Sequence, residues 1–335
     1  MKVGIIGAGR IGKVHAENIT RYVPSIKIKT IAEVFMTDEL KEWANTLNIE
    51  NVVSDPKEIF NDDEIEAVLI CSSTNTHSQF IIEAARAGKH IFCEKPIDYD
   101  IEKVQQAIEE ANSAGVKLQI GFCRRFDHNH RAVYDMVQNG KVGKPHIIKI
   151  SSRDPEPPPI EYVKVSGGIF YDMMIHDFDM VRFLAGSEVE EVYTQSSVLI
   201  DPAIGEAGDV DTAVVVLKFE NGTIGVIDNS RKAVYGYDQR VEVFGENGMA
   251  FNNNDIANTA VFCGEDATTY GTAYKVMWDR YTMAFAEEIT AFADAVVNDK
   301  EVPVTGKDGL YPVLMAAAAT KSMKEGRPVK ISEIL

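Results

Sequence analysis

Three short stretches carry residues whose types and spacing can do chemistry. The first, Gly7-Ala8-Gly9-Arg10-Ile11-Gly12, matches the pattern G-x-G-x-x-G. Gly7 permits a tight turn, Gly9 lets the backbone approach a pyrophosphate, and Gly12 lets a helix pack closely on a strand. A helix starting there would present backbone N–H groups, those of Arg10 and Ile11 among them, to phosphate charge. Glu33 follows about 20 residues on, where an acid can grip the ribose hydroxyls of a dinucleotide. Glycines alone would equally fit an ordinary turn, but the strand before them, the helix after and the acid beyond point to a dinucleotide. Glu33 repels the extra phosphate of NADP whereas Arg10 could hold it, and we expect the acid to prevail and NAD to be the cofactor.

The second stretch is Cys93-Glu94-Lys95-Pro96, after an apolar strand. Ligands of open α/β sheets bind at the carboxyl edge, and an ammonium there could hydrogen-bond a substrate hydroxyl. A surface lysine before a proline turn would look the same. The third stretch is Asp172-Met173-Met174-Ile175-His176-Asp177-Phe178-Asp179. On one continuous helix, Asp172, His176 and Asp179 share a face of an otherwise apolar element. Burying such groups without purpose is unfavourable. The pair fits a general base, His176, with Asp172 close enough to orient its imidazole. A satisfied core histidine with a capping aspartate is the competing reading. Ser72, Thr74, Asn75 and His77 follow another apolar strand, and with Glu94 could line the nicotinamide end of the cofactor. They also suit an N-cap.

These stretches need elements to position them. Up to residue 121 short apolar strands alternate with helical segments, the pattern of a parallel sheet covered by helices. Beyond it, turns at Asn221-Gly222 and Asn247-Gly248 join alternating runs into hairpins, so the second sheet should be mainly antiparallel and open-faced. We expect a Rossmann domain over 1–121 and an α+β domain over 122–335, with one helix running from Gly168 to Leu184. The hairpin strands hold more apolar surface than one helical layer covers, which implies a homo-oligomer, a tetramer, through that sheet.

Composition narrows the partners. A net charge of −17 disfavours nucleic acid and anionic membranes. No apolar run reaches the ~20 residues of a membrane span, and the N-terminus enters a strand without an export signal. The expectation is a cytoplasmic protein. Cys71, Cys93, Cys123 and Cys263 form no C-x-x-C pair, so reduced thiols and no metal site are expected.

With these residues in hand the chain resembles the Gfo/Idh/MocA oxidoreductases, and within them the enzymes acting on inositol. The resemblance spans nearly the whole length. It rests on the glycine turn, Glu94-Lys95-Pro96, Gly121-Phe122-x-Arg124-Arg125-Phe126-Asp127, Ser152-Arg153-Asp154-Pro155, Asp172-x3-His176-x2-Asp179 and Tyr235-Gly236-Tyr237-Asp238. It implies a catalytic triad of Lys95, Asp172 and His176, with Arg125, Asp154, Asp179 and Tyr235 as further substrate contacts. It also implies NAD-linked oxidation of a secondary hydroxyl, most simply myo-inositol to scyllo-inosose, with another inositol isomer or an aldose such as glucose as the alternative. Some inositol dehydrogenases carry Asn where this chain has Asp154. A mixture of cations and carboxylates suits neutral hydroxyls rather than an anionic ligand. A dinucleotide sensor without catalysis would have lost Lys95 or His176, and both are present.

Overall fold

The computed structural model describes residues 1–335, which form two compact units. The first comprises Met1–Phe126 and Thr282–Val313, the second Asp127–Tyr281 and Leu314–Leu335. In chain order the first contributes β1 (Lys2–Ile6), α1 (Arg10–Tyr22), β2 (Lys27–Ala32), α2 (Asp38–Thr46), β3 (Asn51–Val53), α3 (Lys57–Phe60), β4 (Ala67–Ile70), α4 (His77–Arg86), β5 (His90–Glu94), α5 (Ile101–Ala114) and β6 (Leu118–Gly121). All six strands run parallel in the order β3-β2-β1-β4-β5-β6. This is the doubly wound order, and its central strands read as continuous apolar runs because both faces are covered. Ala67–Ile70 is buried at every position. Local chemistry sets the helix ends: Asp100 caps α5 by accepting from the Glu102 and Lys103 amides, and Gly115 closes it at φ 68°.

Next come α6 (His128–Gln138), β7 (Pro145–Arg153), α7 (Ile160–Val163), α8 (Gly168–Asp172), α9 (Ile175–Ala185), β8 (Val189–Ser197), α10 (Pro202–Glu206), β9 (Thr212–Phe219), β10 (Ile224–Ser230), β11 (Asp238–Gly245), β12 (Gly248–Phe251), β13 (Val261–Cys263), β14 (Thr268–Tyr270), α11 (Met277–Val297), α12 (Gly306–Glu325) and β15 (Val329–Lys330). Seven of these strands form a sheet in the order β12-β11-β7-β10-β9-β8-β15. Its pairings are antiparallel except β7 with β10, so the expectation of a mainly antiparallel sheet holds, with one parallel ladder inside it. β9 alternates buried and exposed along its length. Its period-2 pattern buries one face and leaves Val214 and Val216 outside, in line with Ile147, Ile224, Phe244 and Met249.

Two expectations change. The units do not divide at residue 121, because Thr282–Val313 returns to the first one. Ala286, Ile289, Phe292 and Ala293 of α11 bury themselves in the core that also holds Val3, Ile5 and Phe92. The helix expected over Gly168 to Leu184 is two helices. Ile169's carbonyl accepts both the Met173 and the Met174 amides, which puts the chain out of the i→i−4 ladder before α9 restarts at Ile175. No helix is long and apolar enough to cross a membrane.

Candidate active site

In the first unit the chemistry gathers at one edge of the parallel sheet. Ile6 is level with Ala32 and Ile70, and Ile70 with Cys93, so the chain leaves β1, β2, β4 and β5 at the same height. The glycine turn, Glu33, the Ser72–His77 segment and Glu94-Lys95-Pro96 therefore share the carboxyl edge. Gly7 has φ 96°, and a Cβ there would stand 2.7 Å from the Cys71 carbonyl oxygen. A Cβ on Gly12 would meet the Gly7 oxygen at 2.0 Å, so neither position accepts a side chain. Gly9 faces open space.

It caps α1 without a side-chain bond, and the first turn of α1 holds no acid. Glu33 accepts from the Ala8 amide at 2.7 Å and the Phe35 amide at 3.1 Å, which ties its carboxylate to the glycine turn. Arg10 is exposed and Ile11 half-buried. A bare turn, open helix amides and an acid at the end of β2 are the donor and acceptor set a dinucleotide needs, and these residues fit one.

Ser72 and Thr74 are half-buried and Asn75 exposed beside this turn. His77 does different work from that expected of it. Its ring is buried, with Nδ1 2.8 Å from the Pro96 carbonyl oxygen and Nε2 2.9 Å from that of Ser72, so it links two loops of the edge. Burial, opposed by those carbonyls, pulls its pKa below the usual imidazole value. Lys95 is half-buried, directly after the buried Glu94. Arg125 belongs to this unit rather than the second, and donates to Asp308 at 2.8 Å.

In the second unit, α9 lies against the centre of the mixed sheet. Asp177, which no sequence motif singled out, accepts from Ser152 of β7 at 2.6 Å and Asn229 of β10 at 2.8 Å, and so fixes the helix. His176 beside it is half-buried, while Asp179 is fully enclosed. Because α8 and α9 are separate, the shared-face argument covers His176 and Asp179 but not Asp172. Asp172 is instead held by side chains: Tyr162 donates to its Oδ1 at 2.8 Å and Arg231 to its Oδ2 at 2.9 Å.

Arg231 also lies 3.5 Å from Asp154, so the structure joins two expected substrate residues through an arginine outside every motif. Asp209, 4.0 Å away, joins the cluster, and burial pushes its carboxyl up. Tyr235 is placed elsewhere. Its hydroxyl donates to Asp238 at 2.6 Å and accepts from Arg153 at 2.9 Å. Arg153 and Asp238 are in register, with Asp228 two residues along on the same face of the sheet, and Ser152, Asn229 and Gln239 point to the other, toward α9.

A Rossmann edge of this construction defines a dinucleotide-binding protein. The chain belongs to the Gfo/Idh/MocA oxidoreductases: the family's NAD-binding Rossmann-fold model matches residues 1–122 and its C-terminal domain model residues 130–251. It is 48% identical to a myo-inositol 2-dehydrogenase from Thermotoga maritima, over 100% of both chains. A crystal structure of a probable dehydrogenase from that organism superposes with a TM-score of 0.97 at 47% identity, again covering 100% of both. Scyllo-inositol dehydrogenase from Lactobacillus casei, solved with NAD(H) and scyllo-inositol, superposes at 0.92 with 31% identity, over 99% of each chain. The protein is thus an NAD-dependent dehydrogenase of this family.

Proposed function

We propose that the protein oxidises myo-inositol to scyllo-inosose as an NAD-dependent inositol 2-dehydrogenase. The observation that carries this reading is the pair of carboxylates, Asp154 and Asp172, fixed by one buried cation, Arg231. Rigid acceptors of this kind suit the hydroxyls of a neutral polyol and repel a phosphate or carboxylate. The full-length likeness to a protein named myo-inositol 2-dehydrogenase supports it.

NAD, held by the residues named below, would supply the acceptor for the hydride of the carbinol carbon. His176 takes the hydroxyl proton as general base. Asp172, whose charge Arg231 and Tyr162 hold in place, favours the imidazolium that results. Lys95 donates to the reacting oxygen, and Arg125 and Asp179 complete the substrate contacts. Gly7, Gly9, Arg10, Ile11, Gly12 and Glu33 hold the adenosine and pyrophosphate end, and Ser72, Thr74, Asn75 and Glu94 the other. His77 keeps those two loops together.

Initial rates with inositol isomers, hexoses and sugar phosphates test the reading. Myo-inositol should exceed glucose and every sugar phosphate by about tenfold in kcat/KM, within the span that hydroxyl recognition supplies. A faster hexose, or turnover of an anionic sugar alone, would contradict it.

The exposed residues Ile147, Val214, Val216, Ile224, Phe244 and Met249, each 42–50% exposed, are the apolar part of one face of the mixed sheet, which also carries Lys149, Lys218 and Glu242. A patch of this kind is usually an interface, and we assign it to a homotetramer working in the cytoplasm on inositol breakdown. A monomeric mass at micromolar concentration would remove that assignment.

A further inference from the structure

Behind the Glu94-Lys95 turn the first unit buries a cluster of which the proposed chemistry uses only Glu94. His15 of α1 and Glu288 of α11 have no exposed surface, and Glu94 has 7%. His15 Nε2 lies 2.7 Å from Glu94 Oε1, and one atom of Glu288 is within 4.8 Å of both groups. Neither Glu288 oxygen has a hydrogen-bond partner. Gln119 donates to the backbone carbonyl of Glu288 at 2.8 Å, fixing that residue beside β6.

Two buried carboxylates this close, with one imidazole beside them and solvent excluded, are not both charged. We propose that Glu288 holds a proton and shares it with Glu94 through one ordered water, making Glu288 a positioning residue for the turn that carries Lys95. Burial, reinforced by Glu94, raises the Glu288 carboxyl well above its ordinary range. Glu94 is the charged group that acts on it; Cys71 and Cys123 are near enough to feel Glu288, Cys93 lies beside Glu94, and burial keeps all three thiols neutral. A divalent ion on the same three side chains is the competing occupant. The His15–Glu94 separation argues against it, because 2.7 Å is a hydrogen-bond distance with a proton between the two lone pairs an ion would need.

The kinetic consequence rests on the role proposed for Lys95; the proton does not, so the two are read separately. Infrared spectra of the full-length protein at pH 8 should show a carboxylic-acid C=O band that E288Q lacks and D209N retains.

The sign of the stability effect follows from the raised pKa. Above about pH 4.5, where an unfolded glutamate ionises, the folded state keeps a proton that the unfolded state has lost. Wild type therefore loses stability as pH rises from there toward the folded pKa, and E288Q, with no proton to lose, does not. The Tm difference, E288Q minus wild type, should grow between pH 5 and 8. In kinetics E288L should fall about 10- to 100-fold in kcat, and E288Q, which still donates, should restore most of it with the wild-type pH profile.

Absence of the acid band, a Tm difference flat with pH, or stoichiometric metal in purified wild type that E288Q loses would each overturn the proton. An E288L enzyme with wild-type kcat and pH profile would overturn the positioning role while leaving the Lys95 reading intact.

Discussion

Each unit holds a cluster of acids, buried in the first and half-buried in the second, and the two clusters are neutralised by different means. In the second unit Asp154 and Asp172 share Arg231, a guanidinium that stays charged at any pH the protein survives. In the first, Glu94 and Glu288 have only His15 and, on our proposal, a proton. A fixed cation keeps carboxylates ionised, which suits residues meant to accept hydroxyls or to stabilise an imidazolium. A shared proton gives a neutral, rigid support, which suits a cluster placed behind a working residue. On these two proposals, charge is kept where the substrate binds, and neutrality beneath the scaffold.

The comparison breaks most easily at Arg231. R231Q leaves the half-buried Asp172 and Asp154 without their shared cation, and should reduce stability by up to about 3 kcal/mol, the cost of removing one partner of a fully buried pair. Denaturant unfolding measures it, and a change within about 0.5 kcal/mol, ordinary for a surface substitution, would mean that the acids do not depend on this cation. R231K should lose less, because an ammonium keeps the charge but not the planar fork. In both variants the loss should be nearly constant from pH 6 to 9, in contrast to the pH-dependent difference expected of E288Q.

The first unit's edge was largely legible in the sequence, and the second unit's site only in part. Gly7, Gly9, Gly12 and Glu33 act through local backbone geometry, so their spacing within a strand-turn-helix pattern revealed them. The Arg231–Asp172 pair spans 59 residues, and the Gln119–Glu288 contact 169. Nothing in the sequence beside Arg231 or Glu288 marks such a partner, because the pairing is set by sheet order and helix docking. Asp177 did carry a signal, an acid in an apolar helix next to a candidate base, but its purpose needed Ser152 and Asn229 from two strands. The break before Ile175 was invisible, since Met173 and Met174 are ordinary helix formers. The return of Thr282–Val313 to the first unit was hidden for a similar reason: an apolar helical stripe does not say which sheet it covers.

The central claim is that His176, half-buried at the start of a helix that Asp177 pins to the sheet, is the base of an NAD-linked polyol oxidation. Steady-state kinetics of H176A with myo-inositol and saturating NAD test it most directly, with circular dichroism to show that the variant is folded. We expect kcat to fall at least about 100-fold, the usual contribution of a positioned acid–base group. Turnover within a few-fold of wild type in a folded H176A would contradict the claim.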